Sequence, residues 1–161
     1  SMLSKREQAP GEILRELQDA MDNGTIPVTE LPYVLRRIGE MSREFGLDVG
    51  NVFHAGDGNM HPLILYNANK PGDLETCEAF GAEILKLCVE VGGCLTGEHG
   101  VGIEKRDLMN VQFNANDLEA QMRLKDVFDP KWLLNPAKVF PLADTKSRRE
   151  NGLQTAALVA E

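Results

Sequence analysis

The chain has 161 residues, 42% of them hydrophobic and 26% charged, which fits one globular domain. A formal net charge of −8 leaves no basic stripe to neutralise phosphates, which excludes a nucleic-acid partner. No apolar run approaches a bilayer span, and three cysteines without a C-x-x-C spacing suit a reducing, cytoplasmic setting.

Residues 11–22 read as a short amphipathic helix, with Ile13, Leu14, Leu17, Ala20 and Met21 on one face and Asn23-Gly24 as its stop. Thr25 to Val28 is a brief extended piece in which Pro27 favours an edge. Thr29 is placed to N-cap a helix to about Phe45. Its apolar stripe is Leu31, Val34, Leu35, Ile38, Met41 and Phe45, and Gly46 is its stop. Strands over 51–55 and 60–66, joined by the turn Gly56-Asp57-Gly58-Asn59, predict an antiparallel hairpin.

Asp73 is placed to N-cap a helix over 74–91 with the stripe Cys77, Phe80, Ile84, Leu87, Cys88 and Val91, ended by Gly92-Gly93. Cys77 and Cys88 lie roughly 16 Å apart along it, beyond disulfide reach. Cys94-Leu95-Thr96 is a short strand that feeds a glycine-rich loop, and Lys105 to Met109 predicts a turn of helix. A helix then runs from Asn116-Asp117 to about Phe128, buried through Leu118, Met122 and Val127, and Asp129-Pro130 breaks it. Trp132 to Pro141 is a compact apolar segment, and the polar stretch 145–161 reads as a loose tail. The pattern is α+β, helices packed on a small, mainly antiparallel sheet. Residues 1–23 form a leading helical segment, 24–142 the main domain, and 143–161 a flexible polar tail.

All three histidines fall in two glycine-rich segments. His54 and His61 straddle the hairpin turn, and His99 stands in Gly97-Glu98-His99-Gly100-Val101-Gly102. We read the segments as walls of one site. Two imidazoles and a carboxylate, His54, His61 and Glu98, make a His₂-carboxylate set for zinc or manganese with an open coordination position. Neighbours on an extended segment diverge, so His99 is placed as a proton acceptor beside Glu98 rather than as a fourth ligand. The plain alternative for each is a hydrogen-bonded loop residue. Asp57 and Asn59 suit a turn on their own. No P-loop, H-E-x-x-H or G-x-S-x-G is present, and G-x-x-G-x-G is not the dinucleotide pattern. Taken alone, these residues also fit a stand-alone metal-binding hydrolase or lyase, or a non-catalytic dimerising module.

Three motifs occur in order: His-Ala-Gly-Asp-Gly-Asn-Met-His-Pro-Leu at 54–63, Gly-Glu-His-Gly-Val-Gly at 97–102, and Phe-Asp-Pro-Lys-Trp-Leu-Leu-Asn-Pro-Ala-Lys-Val at 128–139. Together they resemble the C-terminal domain of FAD-linked oxidases of the vanillyl-alcohol oxidase type, in the glycolate oxidase and D-lactate dehydrogenase group, over roughly Gly24 to Leu142. The resemblance implies a truncated, ferredoxin-like domain that forms the substrate pocket for a small 2-hydroxy acid. FAD is held mainly by a flavin domain absent from this chain. His54, His61 and Glu98 would be metal ligands, His99 the base for the hydroxyl proton, and Asn135 and Asn59 the cofactor-side residues. Hydride would pass to the flavin from glycolate or D-lactate. The partners implied are the missing N-terminal flavin domain, other oxidase subunits and a second copy of the chain, in the cytoplasm or peripheral to the inner membrane. By itself the fragment is expected to be inactive. Three positions depart from the pattern. Val28 stands where some glycolate oxidases have arginine, Leu63 where hydroxyglutarate enzymes carry a polar residue, and Ala137 where glycine is usual.

Overall fold

The second strand of the expected hairpin becomes the centre of the sheet. The computed structural model describes residues 20–21 and 24–159. The chain divides into two compact units, Ser1–Gly97 and Glu98–Glu161.

In the first unit, β3 (Asp48–His54) and β4 (Asn59–Leu65) form the expected hairpin, antiparallel from Asp48 opposite Leu65 to His54 opposite Asn59. The other edge of β4 carries β1 (Ala20–Met21) and β2 (Gly24–Thr25). Both short strands keep one register, with Ala20 opposite Ile64 and Thr25 opposite Asn59. Ala20 and Met21 are therefore strand, not the end of a helix, because β4 offers them a ladder. The rest of the helix expected over 11–22 lies outside the described residues.

Helices α1 (Leu31–Phe45) and α2 (Asp73–Glu90) pack with the sheet around one core. Val34, Ile38 and Met41 meet Met60 and Ile64 of β4 and Cys77, Phe80, Ile84, Leu87 and Cys88 of α2 in that core. Phe45 stacks on Phe80 at 5.1 Å between ring centroids. Burial of each large side chain contributes about 1.5–3 kcal/mol before its entropy cost. Gly46 ends α1 in the left-handed conformation, φ 70°, as the sequence expects.

The cap assignments differ. A 3₁₀ turn, Val28–Glu30, precedes α1, which begins without a side-chain cap and with proline in its first turn. Thr29 is thus inside the turn rather than at the helix N-cap. Gly72, φ 87°, occupies the N-cap of α2. The buried carboxylate of Asp73 instead accepts from the Asn67 N–H at 3.2 Å and Lys70 Nζ at 2.6 Å, fastening the loop before the helix. Cys94 to Thr96 is no full strand: Thr25 and Cys94 exchange two backbone hydrogen bonds, at 2.9 and 3.2 Å, as an isolated bridge. Gly93 makes the approach feasible, since a Cβ there would stand 1.9 Å from the Thr25 carbonyl oxygen.

In the second unit, a 3₁₀ turn (Arg106–Leu108) leads into α3 (Met109–Gln112), and α4 (Ala115–Phe128) starts from a capping box between Asn114 and Asp117. Leu118 and Met122 are buried on α4, but Val127, expected with them, is 75% exposed. Past the helix, the buried Asp129 carboxylate accepts from the N–H groups of Leu133 and Leu134, at 2.9 and 3.0 Å, and from Lys125 Nζ. Trp132 is buried, packs on Phe140, and donates from Nε1 to Asp126 at 2.6 Å. The segment expected as a loose tail is helical, α5 (Leu142–Val159). Among its described side chains, Thr145 is buried, and the Arg148 guanidinium bridges Glu119 and Asp126 of α4.

Candidate functional site

Side chains alternate faces along a strand. Val49, Met60 and Ile64 pack with the core, so Gly50, Val52 and His54 on β3, and Asn59, His61, Leu63 and Leu65 on β4, share the opposite face. His54 is opposite Asn59 and Val52 opposite His61, which sets the two imidazoles on a diagonal. Their ring centroids are 5.4 Å apart, edge to face. His61, on the central strand, is 7% exposed, whereas His54, the last residue of β3, is open to solvent.

The turn between them is anchored. The Asp57 N–H donates to the His54 carbonyl at 3.0 Å, and the Ile26 N–H donates to the Gly58 carbonyl at 2.9 Å. Gly58 has φ 66°, and a Cβ there would lie 1.9 Å from the Ile26 carbonyl oxygen. Only glycine allows both the backbone angle and this approach. The Gly-Asp-Gly-Asn sequence is thus more than a permissive turn. It is seated against the segment after β2, which holds the tip of the hairpin that carries His54.

His54 and His61 belong to the first unit, and Glu98 opens the second. Within the first unit the structure brings His54 and His61 together on one sheet face. Two imidazole nitrogens and a carboxylate oxygen suit zinc or manganese. His99 follows Glu98 in an exposed loop whose Gly100 and Gly102 are left-handed, φ 80° and 60°. Asn59 is half-buried beside His54. Asn135, φ 45°, lines a cavity of about 250 Å³ in the second unit with Lys125, Trp132, Lys138 and Thr145.

Two residues escape the sequence reading. Gly50 sits in the middle of β3 on the histidine face. With the strand start placed at residue 51 it reads as part of a loop, and a glycine inside an otherwise strand-like run is the available signal. Lys105 closes the Glu98 loop, its N–H donating to the Val101 carbonyl at 3.2 Å, and its side chain is buried and partnered. Nothing in its sequence context marks it as interior.

The family described as FAD linked oxidases, C-terminal domain, matches residues 15–139. The glycolate oxidase subunit GlcD of Escherichia coli (strain K12) is 53% identical over 119 residues, 74% of this chain and 24% of that protein. GlcD of Bacillus subtilis (strain 168) is 32% identical over 120 residues, 74% of this chain and 26% of that protein. The mitochondrial D-lactate dehydrogenase [cytochrome] of Kluyveromyces lactis is 35% identical over 117 residues, 73% of this chain and 20% of that protein. The chain thus spans about a quarter of the length of these relatives.

Proposed function

The chain belongs to the FAD linked oxidase C-terminal domain family, and from that premise we propose that it is the substrate-side domain of a flavin-dependent enzyme that oxidises a small 2-hydroxy acid, glycolate or D-lactate. A divalent ion held by His54, His61 and Glu98 would lower the pKa of the substrate hydroxyl, and FAD, held mainly outside this chain, would accept the hydride. The chain's own part is to bind and to move a proton. His54 and His61 present imidazole nitrogens from one sheet face, and Glu98 adds the carboxylate. His99, next to Glu98 in sequence, takes the hydroxyl proton. Asn59 and Asn135 belong to the cofactor side.

An acidic chain needs a local positive charge to hold an anionic substrate, and the ion would supply it. Among the described residues no helix is long and apolar enough to cross a membrane. The proposed setting is the cytoplasm, at the face of a larger oxidase complex.

The observation that carries this reading is the pair of imidazoles on one sheet face, their ring centroids 5.4 Å apart. Metal analysis by mass spectrometry on the wild type beside His61→Ala tests it. About one zinc or manganese per wild-type chain is expected, with at least a tenfold loss in the variant. Equal, negligible metal in both would remove the site.

A further inference from the structure

Helix α4 is apolar on two opposite faces. Leu118 and Met122 are buried in the second unit. On the other side Leu124, Val127 and Phe128 are 63%, 75% and 78% exposed, and the exposed Ala120 lies one turn before them. Ala120, Leu124 and Val127 recur at i, i+4 and i+7, the spacing of a seam between two helices, and Phe128 flanks them. Single exposed apolar side chains are ordinary, but three large ones within five residues make a patch that calls for a cover.

The order of residues about Leu124 points to what the cover is. Four positions before it stands Ala120, the smallest side chain of the stripe, and four positions after it Phe128, the largest. Seven before it is the exposed Asp117. Seven after it, just past the end of the helix, is the exposed Lys131, which has no ion pair among the described residues. Two copies of α4 laid antiparallel across Leu124 therefore bring each Phe128 to the other's Ala120 and each Lys131 towards the other's Asp117. Size and charge are complementary only in that direction. Parallel pairing would set phenylalanine on phenylalanine and like charges side by side.

We infer that the exposed face of α4 is the contact of a two-fold dimer of this chain, each helix antiparallel to that of a second copy. The contact is isologous, with Leu124 on the axis and meeting itself. It is independent of the oxidation reading above. One helix from each copy makes an interface at the small end of the specific range, below about 1,200 Å² in total, so a dissociation constant on the order of 10 μM is expected.

Sedimentation of the full chain over a concentration series measures that constant. Leu124→Lys puts two like charges on the axis and is expected to weaken the dimer at least about thirtyfold. Lys131→Glu turns both flanking pairs repulsive and should weaken it about fivefold. Both positions are exposed and lysine is a good helix former, so the circular dichroism of the variants should match the wild type. Leu74→Lys, at an exposed leucine of α2, should leave the dimer unchanged. Cross-linking tests the direction, in a background where the exposed Cys94 is replaced by serine and Cys77 and Cys88 stay buried. A mixture of Ala120→Cys and Phe128→Cys copies should form disulfides across the pair, well above either variant alone. A wild type still monomeric at about 1 mM would overturn the inference and leave the face to another partner. So would a dimer that Leu124→Lys leaves intact or that Leu74→Lys weakens equally. Cross-linking within each cysteine variant but not in the mixture would overturn the antiparallel contact.

Discussion

Three residues other than glycine hold left-handed backbone within a short stretch: Trp132, φ 51°, Asn135, φ 45°, and Ala137, φ 59°. Asparagine tolerates this conformation, and Trp132 is held in it by burial and its bond to Asp126. Ala137 has less to hold it, although its carbonyl accepts from Arg106 at 2.8 Å. The sequence shows alanine where the family pattern has glycine, but residue type alone makes that a small change. The backbone angle gives it a cost, because a Cβ in the left-handed region is strained. Ala137→Gly is therefore expected to stabilise the second unit by about 1 kcal/mol, read as a higher denaturant midpoint at unchanged slope. A lower midpoint would show that the lost chain stiffness outweighs the relieved strain.

Among the elements, α1 and α2 were legible from their 3.6-residue apolar stripes, and the hairpin from the Gly-Asp-Gly-Asn turn between two strand-like runs. The α5 helix was not, because ion pairs and one buried threonine hold its described side chains. Val127 misled for the complementary reason: it continues the stripe of Leu118 and Met122 past the point where the helix leaves the core. The turn after α4 is organised by Asp129. Hydrogen bonding from Lys125 holds its carboxyl below the usual range, with the Leu133 and Leu134 N–H groups adding to that against the effect of burial. A lowered folded pKa means the stabilisation is fully present above about pH 4 and is lost as pH falls through the folded value. Glu119, lowered chiefly by Arg148, adds to the same acid dependence. Trp132, the single tryptophan, reports on this turn. Acid titration of its fluorescence in denaturant should show stability falling steeply below pH 4. Asp129→Asn should be weaker at pH 7 and shallower in acid, and parallel curves would mean that Asp129 is not the titrating anchor.

For the whole molecule, the family was legible because three motifs keep their order across some eighty-five residues, a pattern that chance and local propensity do not supply. The division after Gly97 was not, since composition does not change there and the break lies inside a motif. The chain spans about a quarter of its relatives, and the second unit exposes Leu124, Phe128 and Leu134. If the flavin is held mainly elsewhere, the purified chain should carry well under one flavin per molecule. It should also turn over neither glycolate nor D-lactate with added FAD and a dye acceptor. Stoichiometric flavin with sustained turnover would contradict that division of labour.

The two histidines of the hairpin differ in freedom as well as in burial. His61 belongs to the strand with neighbours on both edges, and its imidazole is almost wholly covered. His54 ends an edge strand, next to the turn and in solvent. If the pair holds an ion, His61 is the covered jaw and His54 the exposed one. An ion gripped there would be released by a movement of the hairpin tip, not by a disturbance of the sheet. The seat of Gly58 against Ile26 would then govern how quickly the jaw opens, as well as where it closes.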